Sequence, residues 1–235
     1  MDWTSKARPM KKVIITGGTG MVGKGVLLEC LDHPFVAQVL SIGRTPLGIN
    51  HSKLKELIIS SFDDYSNVND QLAGYDACYL CMGVSAAGLS EEEYFKLTHD
   101  YTLALAATLV SINPEMTCTY VSGQGTDSTE KGRTMWARVK GKTENDIFKL
   151  GFKQAFAFRP GAIIPLRGIK PSSKMYRFLI TNLTWLIKLI KKLTPNAVVD
   201  TTQVGLAMIN ATLYGFGKNI ITPKDIIQLS NQRDA

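Results

Sequence analysis

Three glycines near the start of the chain have the spacing of a phosphate-binding turn. Gly17, Gly20 and Gly23 form the pattern G-x-x-G-x-x-G. In such a turn the first glycine permits a tight bend, the second lets the backbone approach a pyrophosphate, and the third lets a helix pack closely on a strand. The amides that open the helix then face the phosphates with the positive end of the helix dipole. The pattern predicts a dinucleotide site made by Gly17, Thr19, Gly20, Met21, Val22 and Gly23.

The end of the second predicted strand indicates which dinucleotide binds. Residues 41–45 read Ser-Ile-Gly-Arg-Thr, with Arg44 and no acidic residue. NAD sites place an Asp or Glu at this point to accept hydrogen bonds from the ribose hydroxyls. A guanidinium can instead hold a 2′-phosphate through paired, charge-assisted hydrogen bonds. The sequence therefore favours NADP(H), with NAD and a solvated surface arginine as the alternative interpretation.

The elements around the glycine turn give it the required context. A β-branched run at 13–16 predicts a strand before the turn, and residues 21–31 predict a helix after it. Further strands are predicted at 36–42, 57–59, 77–82, 118–122 and 155–158, with helices between most of them, notably 91–112 and 135–150. This alternation predicts a single α/β domain with a Rossmann-like, doubly wound parallel sheet. We expect a small C-terminal substrate-side lobe built from residues 123–134, about 165–200 and 215–235.

The segment 173–193 has the pattern of an amphipathic helix. Its apolar face consists of Met175, Leu179, Leu183, Leu186, Ile190 and Leu193. The run is interrupted by Asn182 and Lys188 and is too short to span a bilayer. We expect a helix that packs on the domain and helps to cover a substrate pocket. Contact with a membrane surface is the alternative.

The overall charge is basic but does not indicate a nucleic-acid partner. The chain carries 27 Lys and Arg against 20 Asp and Glu, a formal net charge of +7. The basic residues occur in short local groups, and no aromatic residues are interleaved with them as on a base-stacking surface. We therefore expect a small-molecule substrate and no nucleic acid. The sequence gives no indication of the oligomeric state.

The cysteines and histidines do not suggest a disulfide framework or a metal site. Cys78 and Cys81 have C-x-x-C spacing, but residues three apart on a strand point to opposite faces, so we expect two buried thiols. The histidines lack the spacing of metal ligands, and we expect no metal. Scattered cysteines and an N-terminus without a secretory signal predict a reducing compartment, and the cytoplasm is the expected location.

Several further motifs, taken with the glycine turn, resemble the atypical short-chain dehydrogenase/reductases. The chain is most similar to the HIV-Tat-interacting protein branch, which is grouped with nucleoside-diphosphate-sugar epimerases. The resemblance runs from about residue 12 to residue 227. Its motifs are Thr-Gly-Gly-Thr-Gly-Met-Val-Gly at 16–23, Cys-Met-Gly at 81–83, His-Asp-Tyr at 99–101, Val-Ser-Gly-Gln-Gly-Thr-Asp at 121–127, Val-Lys-Gly at 139–141 and Arg-Pro-Gly at 159–161.

The resemblance assigns roles to particular positions. It implies that Ser61 and Phe62 border the adenine. Lys140 matches the family's active-site lysine, which holds the nicotinamide ribose and lowers the pKa of a tyrosine four residues earlier. That tyrosine is the family's proton donor to the carbonyl oxygen. The other residues implied to line the cofactor are Cys81, Met82 and Gly83 along the fourth strand and Pro160, Gly161 and Ala162 near the nicotinamide.

The chain departs from the family pattern at the proton donor. The tyrosine position is occupied by Trp136, whose indole has one N–H and no acidic hydroxyl. The second of the family's paired serines corresponds to Gly123, so Ser122 replaces it only if the register shifts. Asp100 stands where many relatives have asparagine.

Two hypotheses follow from this departure. The chain is an NADP(H)-dependent oxidoreductase or epimerase-like enzyme for a small carbonyl or sugar-type substrate, in which Lys140, or a recruited Tyr120 or Tyr101, acts on the substrate oxygen. Alternatively, it is a non-catalytic NADP(H)-binding regulatory or scaffold protein. The missing tyrosine favours the second hypothesis, and the retained Lys140 favours the first.

Overall fold

The computed structural model describes residues 9–170 and 197–232. Numbered in chain order, the described strands are β1 (Lys11–Thr16), β2 (Val36–Gly43), β3 (Leu54–Ile58), β4 (Ala77–Leu80), β5 (Thr117–Val121), β6 (Gln154–Phe158), β7 (Ala162–Ile164), β8 (Val198–Asp200) and β9 (Ile220–Ile221). The described helices are α1 (Met21–Asp32), α2 (Asn69–Leu72), α3 (Glu91–Phe95), α4 (Tyr101–Ile112), α5 (Met135–Lys149), α6 (Thr201–Tyr214) and α7 (Pro223–Ser230).

Seven strands form one parallel sheet in the order β3-β2-β1-β4-β5-β6-β9. The chain runs outward from β1 to β3 and then returns to place β4 on the other side of β1. This reversal creates a crevice at the carboxyl ends of β1 and β4, which is where open α/β sheets bind ligands. The predicted doubly wound, Rossmann-like sheet is confirmed.

Alternating side chains of the central strands supply two separate apolar layers. Ile15 packs with α1, α6 and α7 on one face, and Ile14 packs with α4 and α5 on the other. Cys81 belongs to the first layer and Cys78 to the second, which confirms that these two thiols face away from each other. All four cysteines are free and buried.

The helical stretch predicted at 91–112 is interrupted by a wider turn. Ser90 and Glu93 form a capping box at the start of α3, which satisfies the first amides of the helix. Residues Lys96–Asp100 then form a π-helical turn before α4 begins at Tyr101.

The C-terminal part of the chain differs from the expected lobe. Ile220–Ile221 pairs with β6 as the edge strand of the main sheet, and α7 packs on α6. Ile221, Ile226 and Leu229 are fully buried there, so most of the segment predicted at 215–235 completes the main core. β7 and β8 form a separate two-stranded parallel sheet. The helix predicted at 173–193 lies outside the described residues, and none of the described helices is long and apolar enough to cross a membrane.

Candidate cofactor-binding and active site

The glycine turn after β1 is packed too tightly to accept side chains. Gly17 has φ +72°, and a β-carbon there would lie 2.5 Å from the carbonyl oxygen of Cys81. A β-carbon at Gly23 would lie 2.2 Å from the carbonyl oxygen of Gly17, so α1 rests directly on the turn. Gly20 precedes α1 in an extended conformation and makes no side-chain cap. The first amides of α1 therefore have neither an intrahelical partner nor a capping side chain, which fits a diphosphate.

A cleft of about 330 Å³ extends from this turn to the ends of β2 and β3. Arg44 and Phe62 lie together in this cleft, beyond the end of β2. The guanidinium carbon of Arg44 is 5.8 Å from the centre of the Phe62 ring. Ile58 and Val84 are 47% and 43% exposed and leave apolar walls uncovered in the cleft. The full lining is Gly17–Gly20, Ser41–Thr45, Leu47, Glu56, Ile58, Phe62 and Cys81–Val84.

Eight of the sixteen predicted cofactor residues line this cleft: Gly17, Thr19, Gly20, Arg44, Phe62, Cys81, Met82 and Gly83. Four others line a second cleft, and Met21, Gly23, Ser61 and Lys140 line neither. Ser61 lies outside the lining, and its hydroxyl donates a hydrogen bond to the Asp63 carboxylate. Met21 packs against the apolar layer under α1. The cleft also contains Glu56, an acidic residue that no sequence motif indicated, because it comes from β3 and not from the end of β2.

A second cleft, of about 580 Å³, lies on the other side of the first turn of α1. Gly20 lines the first cleft and Val22 the second, so the start of α1 separates the two spaces. The second cleft contains the predicted nicotinamide-side residues. Its lining is Val22, Val121–Gly125 and Pro160–Ile163.

Lys140 lies on α5 and is not part of the lining of the second cleft, but its side chain reaches the end of β5. Its Nζ donates a hydrogen bond of 3.4 Å to the carbonyl oxygen of Val121 and lies 5.4 Å from the centre of the Tyr120 ring. Burial lowers the pKa of the Lys140 ammonium to about 8, and the negative charge of Glu144 one turn later opposes part of that shift. At neutral pH the group is therefore mostly charged but is a stronger acid than an ordinary lysine.

Arg159, the first residue of the Arg-Pro-Gly motif, has a structural role. Its Nε donates to the carboxylate oxygens of Glu144 at 3.0 and 3.2 Å, and its Nη2 donates to the same carboxylate. Because Glu144 is fully buried, this pair neutralises a charge inside the domain. The pair joins the end of β6 to α5, the helix that carries Lys140.

Trp136 lies against the loop that follows β5. Its indole carbon Cζ3 is 4.0 Å from the position of a β-carbon at Gly123, and Cη2 is 3.4 Å from the corresponding position at Gly125. A side chain at position 123 would point toward the ring. The replacement of the family's tyrosine by Trp136 and the replacement of its serine by Gly123 are therefore linked in space.

The hydroxyl of Ser122 is already used by the same loop. Thr126 Oγ1 donates to the carbonyl oxygen of Gly123 at 2.8 Å, so its single proton is taken. The 2.9 Å contact between Ser122 Oγ and Thr126 Oγ1 is then a hydrogen bond donated by Ser122. Ser122 lines the second cleft, but its proton is already donated to Thr126.

The two tyrosines considered as substitutes lie elsewhere. Tyr120 is buried in the core under Lys140, and burial raises the pKa of its hydroxyl. Tyr101 packs on Phe62, a residue of the first cleft, with 5.9 Å between ring centres. Asp100 is exposed, and its carboxylate lies 2.8 Å from Nδ1 of His99. Among residues 9–170 and 197–232, no cluster of His, Cys, Asp and Glu has the composition of a metal site.

Comparison with known families and proteins agrees with the motifs. Residues 13–126 match the NAD dependent epimerase/dehydratase family. Protein FMP52, mitochondrial, of Candida albicans is 28% identical over 231 residues, covering 92% of this chain and 97% of that protein. Protein fmp52-1, mitochondrial, of Aspergillus terreus is 30% identical over 161 residues, 66% and 67% of the two chains. Protein HTATIP2 of Rattus norvegicus is 25% identical over 159 residues, 66% and 63%.

A solved structure shows the same fold. The short chain dehydrogenase family protein from Francisella tularensis superimposes with a TM-score of 0.60 at 15% identity, covering 92% of this chain and 93% of that chain. The expectation of a cytoplasmic location is contradicted, because the FMP52 relatives are named as mitochondrial. Cysteine spacing reports a reducing environment and cannot tell one reducing compartment from another.

Proposed function

Because the chain belongs to the atypical short-chain dehydrogenase/reductases of the NAD(P)-binding superfamily, we propose that it binds NADP(H) and reduces a small carbonyl or sugar-type substrate. The observation that carries the proposal is the glycine cradle between β1 and α1. Gly17 and Gly23 leave no room for a β-carbon, and Gly20, which lines the cleft, precedes α1 without a side-chain cap for its first amides. Such a cradle suits the diphosphate of a dinucleotide.

The remaining cofactor groups match the chemistry of the two clefts. Arg44 would pair with a 2′-phosphate, and the exposed apolar walls beside Phe62 would receive the adenine. Val22 and the segment 160–162 would flank the nicotinamide in the second cleft. Bound NADPH would supply the hydride for reduction of a carbonyl carbon.

In this proposal, Lys140 supplies the proton. With a pKa of about 8, its ammonium is protonated at neutral pH and acidic enough to protonate a developing alkoxide. The Lys140 ammonium donates a hydrogen bond to the carbonyl oxygen of Val121. Because Val121 lines the second cleft, this bond keeps the ammonium close to that cleft. Trp136 and Ser122 supply no proton, for the reasons given above.

A second candidate is a non-catalytic NADP(H)-binding regulatory or scaffold protein. The contact of Trp136 with the glycines of the loop and the commitment of Ser122 to Thr126 both favour it, because they close the family's usual route for the proton. The two candidates share the nucleotide site and differ only in turnover.

Arg44→Ala tests the cofactor assignment. We expect the dissociation constant for NADPH to rise about 10- to 100-fold, since a charge-assisted hydrogen bond contributes about 1.5–3 kcal/mol. The constant for NADH, which has no 2′-phosphate, should stay within about twofold. Titration calorimetry with both nucleotides measures this, with Arg133→Ala as an exposed arginine control. If Arg44→Ala lost affinity equally for both nucleotides, or for neither, Arg44 would not be the residue that binds the 2′-phosphate.

The pH dependence of turnover tests the role of Lys140. NADPH oxidation against a panel of aldehydes and ketoses should be steady below pH 8. It should fall about tenfold per pH unit above pH 8, because the ammonium is the active form and it deprotonates there. Lys140→Ala should abolish turnover while NADPH still binds. Turnover that survives in Lys140→Ala would exclude the lysine as donor, and no turnover in wild type under any condition would favour the second candidate.

A further inference from the structure

A carboxylate of β3 holds the loop between β2 and β3 at Leu47, the residue that lies over the glycine turn. Glu56 Oε2 accepts a hydrogen bond of 2.8 Å from the backbone N–H of Leu47. Glu56 lies on β3 next to Ser41 of β2, so the bond reaches from the edge strand to the loop that leaves β2. All three residues line the 330 Å³ cleft.

The side chain of Leu47 contacts the glycine turn. Its Cδ2 and Cδ1 atoms lie 3.1 and 3.5 Å from the position of a β-carbon at Gly18, and it packs partly buried against the apolar layer under α1. The leucine therefore forms a wall of the cleft between the turn and the end of β2. Because Leu47 itself lies in a loop, the position of this wall depends on what holds the loop.

We propose that Glu56 is a positioning residue for the nucleotide site, which acts by fixing Leu47 over Gly18. This inference rests on the proposed NADP(H) site and adds a residue to it. The wall borders the part of the cleft next to the diphosphate, which NADPH and NADH share. Glu56 therefore contributes to the affinity for both nucleotides, whereas Arg44 contributes only to the affinity for NADPH.

Two substitutions at Glu56 distinguish the hydrogen bond from the charge. Glu56→Ala removes the acceptor, and we expect the dissociation constants for NADPH and NADH to rise together, about fivefold. Glu56→Gln keeps a carbonyl oxygen for the Leu47 N–H, and it should stay within about twofold of wild type. Lys55→Ala, the next residue on the same strand, is the control, because its side chain points to the other face.

Amide hydrogen exchange reports on the loop without any nucleotide. The Leu47 amide should exchange faster in Glu56→Ala than in wild type or Glu56→Gln, with unfolding temperatures compared for all variants. Leu47→Ala should raise the dissociation constants for both nucleotides as Glu56→Ala does, although it changes no residue of β3. The inference would be overturned if Glu56→Ala bound the nucleotides as tightly as wild type does. It would also be overturned if Glu56→Gln and Glu56→Ala lost the same affinity. If wild type binds neither nucleotide, the proposed function fails, while the exchange rates still test the contact.

Discussion

Gly23→Ala is expected to weaken NADPH binding on the order of a hundredfold or more, because the added methyl group overlaps backbone that cannot move aside. Its carbon would lie 2.2 Å from the carbonyl oxygen of Gly17 and 2.6 Å from the carbonyl carbon. To relieve this overlap, α1 has to move away from the turn. The amides that would hold the diphosphate then leave their positions. Titration calorimetry with NADPH measures the loss.

A matched glycine variant separates this effect from a general loss of stability. Gly217→Ala adds the same methyl group where no heavy atom lies within 4 Å, so its affinity should match wild type. Gly17→Ala provides a second test at the turn, because its φ of +72° adds backbone strain to a clash in which the β-carbon would lie 2.5 Å from the carbonyl oxygen of Cys81. Circular dichroism checks that each variant is folded. A folded Gly23→Ala that binds NADPH normally would show that the turn does not hold the diphosphate.

Restoring the family's proton donor should raise turnover about a hundredfold, since a positioned general acid contributes about 10²- to 10⁴-fold. The change requires two substitutions, Trp136→Tyr and Gly123→Ser. Gly123→Ser alone would place its β-carbon 4.0 Å from Cζ3 of Trp136, so the indole restricts the rotamer of the added hydroxyl and we expect a small drop in the unfolding temperature. In the double variant the smaller phenol ring leaves room for the serine. The rate of NADPH oxidation against the carbonyl panel measures the gain.

Lys140 provides the control for this gain. In the family pattern the lysine assists the tyrosine, so Lys140→Ala should remove the gain when added to the double variant. Unfolding temperatures of the two single variants and the double variant give the coupling between positions 123 and 136. Additive effects on stability, with no rise in turnover, would mean that the two replacements are independent and that this pocket does not perform reduction.

Much of the fold could be predicted from local patterns. The β-branched run before Gly17 and the helical pattern at 21–31 identified β1 and α1, because local residue preferences dictate both elements. The spacing of Cys78 and Cys81 predicted opposite faces, since strand geometry has a period of two residues. The tight packing of Gly23 on Gly17 follows from the same local geometry, whereas the contact of Gly17 with Cys81 depends on the pairing of β1 with β4.

Contacts between distant segments could not be predicted in the same way. The sequence shows Trp136 and Gly123 as two separate departures, and only the fold brings them together. Glu56 was missed because it enters the first cleft from the strand beside β2, and pairing between strands is not visible in a linear pattern. Ile220–Ile221 was expected in a lobe because a two-residue edge strand has too little periodicity to be recognised.

The most direct measurement is a titration of the wild-type chain with NADPH and NADH by calorimetry. The account predicts saturable binding of both nucleotides, with NADPH the tighter by about tenfold or more because Arg44 adds a contact with the 2′-phosphate. Absence of saturable heat for either nucleotide would contradict the assignment of the glycine cradle as a dinucleotide site.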